Sequence, residues 1–489
     1  MATSSHVSWP QGRYTAWGPT KNFQAFPRNV AYIDNLKLDP KLQPRDYHIH
    51  GSNKGSKILF TEVQILESTG RQPYTGDVLI EDERITHVGT VPGKEELKSD
   101  PCVTVFHGQG RTLMSGLGDA HAHLTWNGGD LARLGDLPVE EHVLLTIKSA
   151  KCFLDSGYTM YAFPWCLIQM GLILSYRCFG AAAAKDRLDV VIRDAINSED
   201  IPGPRYLANA REIAKPEGDL VASITRFAES PEDEQVVRSN IQCIGVDNVK
   251  ISMSGEEITG NRAAEDCYFT AAETAACVEE AHRHGKRVCA HARARDSVKM
   301  CVSYGVDVIF HASYVDDEGM EMLEKKRHTS IVAPAINWLV ATAYEAEAFG
   351  YTQEAAEKAG YVRELDTAVA GLREMHLRGI VILPGGDYGF AWTPHGTYAR
   401  DLEHFVNFLG ITPHESIIAA TAGVAALFMW SHELGRIRPG YLADCILVDG
   451  DPLKDISILQ EHSRLNVIVI NGKVHKAGPF EYYRDMQRT

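Results

Sequence analysis

The chain has 489 residues, 44% of them apolar and 23% charged, the balance of a folded protein rather than a disordered or fibrous one. Its formal charge of −15, from 49 basic and 64 acidic residues, argues against nucleic acid and against anionic membrane surfaces as partners, since both call for clustered Lys and Arg. That length suits one large domain with an elaboration, or two to three smaller ones, and favours an enzyme over a small binding module.

Residues 1–56 are rich in Pro, Asn, Tyr and Trp without sustained periodicity and read as an irregular arm that packs on the body or on a neighbouring subunit. The opening "MATSSHVSWPQGRY" has neither a basic n-region nor an apolar h-region, and the ten cysteines are scattered without a CxxC pair; a cytoplasmic protein with reduced thiols is expected. From Lys57 short β-rich runs follow, "KILFTEVQIL" and "GDVLIEDERITHVGT", with Gly and Asp at the breaks, so residues 57–111 predict a small antiparallel sheet.

Residues 112–432 alternate short apolar runs with helical patterns, the signature of βα units and a parallel sheet. The predicted strands are "TLMSGLGD" (112–119), "YTMYAF" (158–163), "RYLANA" (205–210), "NVKISMS" (248–254), "RVCAHA" (287–292), "VDVIFHA" (306–312), "SIVAPAI" (330–336) and "IVILPGGD" (380–387). Eight strands in this alternation predict an α/β fold built on a (β/α)8 TIM barrel. Helices fit between them: "PVEEHVLLTIKSAKCFLDSG" stops at Gly157, and "TAAETAACVEEAHRHG" starts at a Thr cap and stops at Gly285. The longest apolar stretch, Cys166–Ala184, is interrupted by Gln169, Tyr176 and Arg177 and reads as a buried or lid-forming helix, too broken to span a membrane. Residues 433–476 return to β texture. With 57–111 they are expected to form one small β-sandwich domain from both chain ends, leaving 477–489 as a tail.

In such a barrel the chemistry stands at the C-terminal ends of the strands. The first ends in His121 and His123, which alternation on an extended backbone points the same way. The fourth carries Lys250, the fifth ends at His291, the sixth at His311 and the eighth at Asp387. The other HxH pairs, His48/His50 and His282/His284, lie in an irregular segment and in a helix. Four histidines and a carboxylate on one rim are a ligand set for zinc or a similar divalent ion. A desolvated lysine can lose its proton and take up carbon dioxide as a carbamate, an anion able to bridge two metals.

The phrases "GLGDAHAH", "NVKISMSG", "CAHARARDSV", "GVDVIFHASYVDDE", "LPGGDYG" and "LGRIRPGYLADCILVDGDPLKDI" together resemble the metal-dependent amidohydrolase superfamily over roughly residues 57–476. The texture is most similar to the phenylurea hydrolases, with molinate hydrolase, ochratoxinase and the Xaa-Arg/Lys dipeptidases as more distant relatives. The resemblance implies that His121, His123 and Asp387 hold one metal, that His291 and His311 hold the other, and that carbamylated Lys250 bridges the two, zinc being the expected ion. It further implies a bridging hydroxide as nucleophile, Asp387 as proton shuttle, and Asp387, Lys250 and His311 as the catalytic set. The implied activity is hydrolysis of a C–N bond in a small amide, urea or carbamate; a decarboxylase or cyclic amidine deaminase on the same scaffold, and a non-catalytic binding protein, are the alternatives. The resemblance also implies a homo-oligomer acting on a small-molecule substrate.

Substrate contacts are expected at Trp126 and Asn127, directly after the metal pair, and at Ser254, Tyr388, Trp392 and His395 on rim loops. Trp126 has packing as an equal reading, and His395 could instead order the metal loop. Arg293 and Arg295 are candidates for a substrate carboxylate or for a salt bridge at a helix start, and Cys289 reads as barrel filling. The loop "AREIAKPEGDLVAS" (210–223) departs from the Gly-His-Gly-like loop of the dipeptidase and ochratoxinase types, which weighs against carrying over their specificities.

Overall fold

The computed structural model describes residues 31–43, 54–128, 131–159, 180–216, 221–231, 234–256 and 263–478. Most of the expected arm, the run from 160 within "YTMYAF", most of the long apolar stretch and the tail from 479 lie outside the described residues. No helix among the described residues is long and apolar enough to cross a membrane.

Both chain ends build one sheet. Strands β1 (Lys57–Leu66), β2 (Tyr74–Glu81), β3 (Arg84–Gly89), β4 (Val103–His107) and β5 (Thr112–Ser115) come from the first end; β13 (Cys445–Val448), β14 (Leu465–Ile470) and β15 (Lys473–Ala477) come from the second. Their order is β15-β14-β13-β5-β1-β2-β3, with β4 on β1. The join is β13 running antiparallel to β5, Cys445 opposite Ser115 and Val448 opposite Thr112. Alternation in these strands buries Ile58, Phe60, Val63, Ile65, Val78 and Ile80 against Cys445 and Leu447, a core of its own.

The second sheet has seven parallel strands in the order β12-β11-β10-β9-β8-β6-β7. They are β6 (Glu212–Ala214), β7 (Thr225–Phe227), β8 (Asn248–Ser252), β9 (Arg287–Ala292), β10 (Val308–His311), β11 (Ile331–Ala333) and β12 (Val381–Ile382). Their residues are buried on both faces, apart from β7, as continuous Val/Ile/Ala runs in parallel sheets demand. Helices lie between the strands: α1 (Val139–Asp155), α2 (Ala271–Arg283), α3 (Arg295–Tyr304) and α4 (Tyr361–Leu377) among them. Helix α2 starts where expected, because Thr270 and Glu273 form a reciprocal capping box.

The strand predictions need three corrections. Thr112–Ser115 opens the first predicted barrel strand, yet it pairs only with β1 and β13; the chain then runs on through Leu117, bridged to Tyr158, to Ala122, bridged to Gly180 and to Tyr388. Residues 205–210 form no regular strand, although Gly180 and Ala183 donate to their carbonyls from one side and Asp247 from the other. The sheet positions beyond β8 go instead to Glu212–Ala214 and Thr225–Phe227, which were not expected. The remaining strands start near their expected places but several end early. β10 ends at His311, whose φ of 69° takes the chain out of the extended conformation.

Candidate metal centre

The strand ends converge. His121 and His123 arrive on the extended segment after β5, and Asp387 on the segment after β12; Asp387 Oδ1 lies 3.0 Å from His123 Nε2 and 3.7 Å from His121 Nε2. Ligand atoms of these three buried residues all lie within 4.8 Å of one another. Glycine makes the approach feasible: a Cβ on Gly385 would stand 2.5 Å from the backbone nitrogen of His121. Asp401 accepts from Gly385 N at 3.0 Å and Asp119 from His121 N at 2.7 Å, which fixes both strands.

His291 at the end of β9 and His311 at the end of β10 face each other, Nδ1 to Nε2, at 3.0 Å. The His311 ring also packs edge-on against His121, 5.1 Å between centroids, so the two donor groups are neighbours. Lys250 on β8 lines the same pocket, its Nζ 5.0 Å from the Phe310 ring centre. Aromatic rings brace the imidazoles: Phe310 stacks on His121 at 3.9 Å and Trp126 on His123 at 3.5 Å. His123 Nδ1 is 3.2 Å from the Ala182 carbonyl, which turns Nε2 toward Asp387.

Electrostatics suit a cation. Burial drives His121, His291 and His311 well below the ordinary imidazole value, leaving them neutral with lone pairs to give. Burial alone would raise Asp387, but the hydrogen bond from His123 and the charge of Arg293 hold the carboxyl below its usual range. Two imidazole nitrogens and one ionised carboxylate, from His121, His123 and Asp387, fit a divalent metal ion in chemistry as well as in placement.

Trp126, Val221, Ile224 and Phe390 give the pocket apolar walls. Two carboxylates that the sequence reading missed stand in it, Glu212 on β6 and Glu256 just past β8. Glu212 is 1% exposed, and its Oε2 lies 3.5 Å from Lys250 Nζ. Glu256 Oε2 is 2.7 Å from Arg293 Nη2 and its Oε1 accepts from the Tyr361 hydroxyl; burial and the nearby Glu364 push its carboxyl up despite Arg293. The signal for both was available: a charged residue set inside an apolar β run, and an acid two residues beyond a strand-end serine.

Of the expected substrate contacts, Trp126 lines the pocket and the others spend their polarity on the protein. Asn127 donates to Ser149 Oγ at 2.7 Å, and Ser254 Oγ accepts from Arg293 N at 2.7 Å. The Tyr388 hydroxyl donates to Tyr398 O, and Trp392 donates to Thr342. His395 bridges Trp126 O and the Tyr398 hydroxyl. Arg293 is fully buried and bonds Glu364 at 2.6 Å as well as Glu256, whereas Arg295 is exposed beside Asp296 and Asp316. Cys289 is buried and receives Asn209 Nδ2.

A model described as "Amidohydrolase family" matches residues 178–475, more than half of the sequence. The chain belongs to the amidohydrolase family. Membership places it among hydrolases. Ochratoxinase from Aspergillus niger is 26% identical over 478 residues, covering 90% of each chain. The crystal structure of that ochratoxinase superposes with a TM-score of 0.69 at 22% identity, over 88% of this amidohydrolase and 98% of the other chain. A prolidase complexed with N-methylphosphonate-L-proline gives 0.72 at 21% identity, over 86% and 100%. Phenylurea hydrolase B gives 0.64 at 18%, over 86% and 96%. At these identities the structural likenesses speak for the fold alone.

Proposed function

We propose that this amidohydrolase is a metal-dependent hydrolase that cleaves a C–N bond of a small amide, urea or carbamate bearing an aromatic or apolar group. The observation that supports it is the gathering of His121, His123, Lys250, His291 and Asp387, with His311 behind them, around one pocket with aromatic and aliphatic walls. The reading takes the parallel sheet as part of a closed (β/α)8 barrel, with Ala122 bridging both Gly180 and Tyr388, and the chain-end sheet as its β-sandwich companion.

On this reading His121, His123 and Asp387 would hold one metal and His291 and His311 the other, with carbamylated Lys250 completing the donor set; the expected ion is zinc. The metals, when bound, polarise the carbonyl and make water nucleophilic at neutral pH. Asp387 takes the proton of the attacking water and returns it to the leaving nitrogen: water oxygen bonds the carbonyl carbon, the C–N bond breaks, and the amine departs protonated. Trp126 and Phe390 face the apolar part of the substrate and, with Val221 and Ile224, keep bulk water from the reacting bond.

The test is metal analysis of the purified protein, then a panel of aryl amides, ureas and N-acyl amino acids. Two equivalents of divalent metal and turnover lost on chelation are expected. Asp387→Asn should lower kcat by about 10²–10⁴-fold while the circular dichroism spectrum is retained. Metal content with no turnover anywhere on the panel, or an active D387N variant, overturns the reading.

A further inference from the structure

The two acids in the pocket lie outside the proposed donor set; Glu256 is taken up by Arg293 and Tyr361, whereas Glu212 keeps one oxygen uncommitted. Glu212 is almost fully buried, faces the pocket, and its Oε1 has no hydrogen-bond partner among the described residues. A buried acceptor left unpaired costs free energy, so the site is arranged for a donor that arrives from outside. The other oxygen is only 3.5 Å from Lys250 Nζ, the single cationic side chain among the described lining residues.

The next cation back from the pocket is Arg293, and it is committed twice. One guanidinium sits between Glu256 at 2.7 Å and Glu364 at 2.6 Å, while its face lies over Trp338 at 4.7 Å. Arg293 is fully buried between these two acids, behind the pocket rather than in its lining, and so is not presented to a substrate carboxylate. The carbamylation of Lys250 under the proposed function would turn the remaining cation into an anion. Under that reading the wall at Glu212 offers a hydrogen-bond acceptor and no cation of its own for a substrate carboxylate.

We propose that Glu212 is a specificity residue that accepts a hydrogen bond from a substrate nitrogen. The substrate class is then compounds presenting N–H donors, neutral or cationic, next to an apolar group, and not compounds bearing a carboxylate there. This rests on the hydrolase reading above and narrows it.

The test uses matched substrates, N-benzoylphenylalanine against N-benzoylphenylalaninamide, with the metal-loaded full chain and its Glu212→Gln variant. The wild type should favour the amide at least tenfold in kcat/KM, mostly through KM, and E212Q should bring that ratio down by about tenfold with metal content unchanged. Calorimetric binding of benzylammonium and benzoate runs alongside and needs no turnover: E212Q should weaken the cation and not the anion. An acid hydrolysed as well as the amide, or a ratio and a pair of affinities unmoved in E212Q, overturns the inference. So does an E212Q protein that has lost metal, since Glu212 would then be holding the centre rather than reading substrate. If neither substrate is hydrolysed, the hydrolase reading is in trouble, and the calorimetric pair still decides the role of Glu212.

Discussion

Burying an imidazole with both nitrogens hydrogen-bonded fixes its tautomer and makes protonation costly. His395 is held this way, its Nε2 donating to Trp126 O and its Nδ1 accepting from the Tyr398 hydroxyl, and burial lowers its pKa to about 4. An unfolded histidine titrates near 6.5, so between about 6.5 and 4 the unfolded chain binds a proton that the folded one refuses. This contribution is complete above pH 6.5 and fades as the pH falls toward 4, by up to about 3 kcal/mol. His395→Gln should flatten the fall in stability between pH 7.5 and 5 by up to one proton's slope, read from denaturant midpoints; identical slopes would remove the linkage. The residue also illustrates what the sequence could tell. His121, His123, His291, His311 and Asp387 were legible because each stands at the end of an apolar run. Asn127, Ser254, Tyr388 and His395 stand there too, but whether a rim side chain faces substrate or its own backbone depends on partners such as Ser149, Arg293 and Tyr398 that no spacing reveals.

Elements reach the centre through close contacts that only small residues allow. The segment after β12 crosses the one after β5 so tightly that a methyl on Gly385 would overlap His121 N, and one on Gly386 would strike the Tyr388 ring at 2.4 Å. Backbone cannot retreat cheaply from such an overlap, so Gly385→Ala should cost about 1–3 kcal/mol and move His121 away from Asp387. The expected result is a lower melting temperature together with a metal stoichiometry reduced more than stability alone explains; full metal content in G385A would show that the crossing tolerates a Cβ. The β9 to β12 strands were readable since continuous Val/Ile/Ala runs between helices have few other homes. The misplaced strand at 205–210 was not: "RYLANA" and "REIAK" are adjacent apolar runs, and hydrogen bonds to Gly180 and Asp247, far off in sequence, decide which one joins the ladder.

At the scale of the whole molecule the two sheets must be locked together, because β5 leads straight from the chain-end sheet into His121 and His123. Arg205, in the body, meets Asp444, the residue just before β13, at 2.9 Å with both side chains 1% exposed. Asp444 also accepts from Asn471 N at 3.1 Å, and its own carbonyl accepts from Gly116 N. One residue thus gathers the body, the turn after β14 and the approach to His121 and His123. Removing one partner of a buried pair strands the other charge, at a cost of about 3–5 kcal/mol, whereas replacing both by apolar side chains of similar size is often close to neutral. Asp444→Ala should therefore destabilise strongly, and the double variant R205M/D444L should regain much of the loss. Hydrogen exchange separates this clamp from a generic core defect: in D444A the amides of β13 and β14 should lose protection ahead of those in β8 and β9. Uniform loss across both sheets would mean that they unfold as one body regardless of the pair, and that the histidine segment is held by the β5–β13 ladder alone.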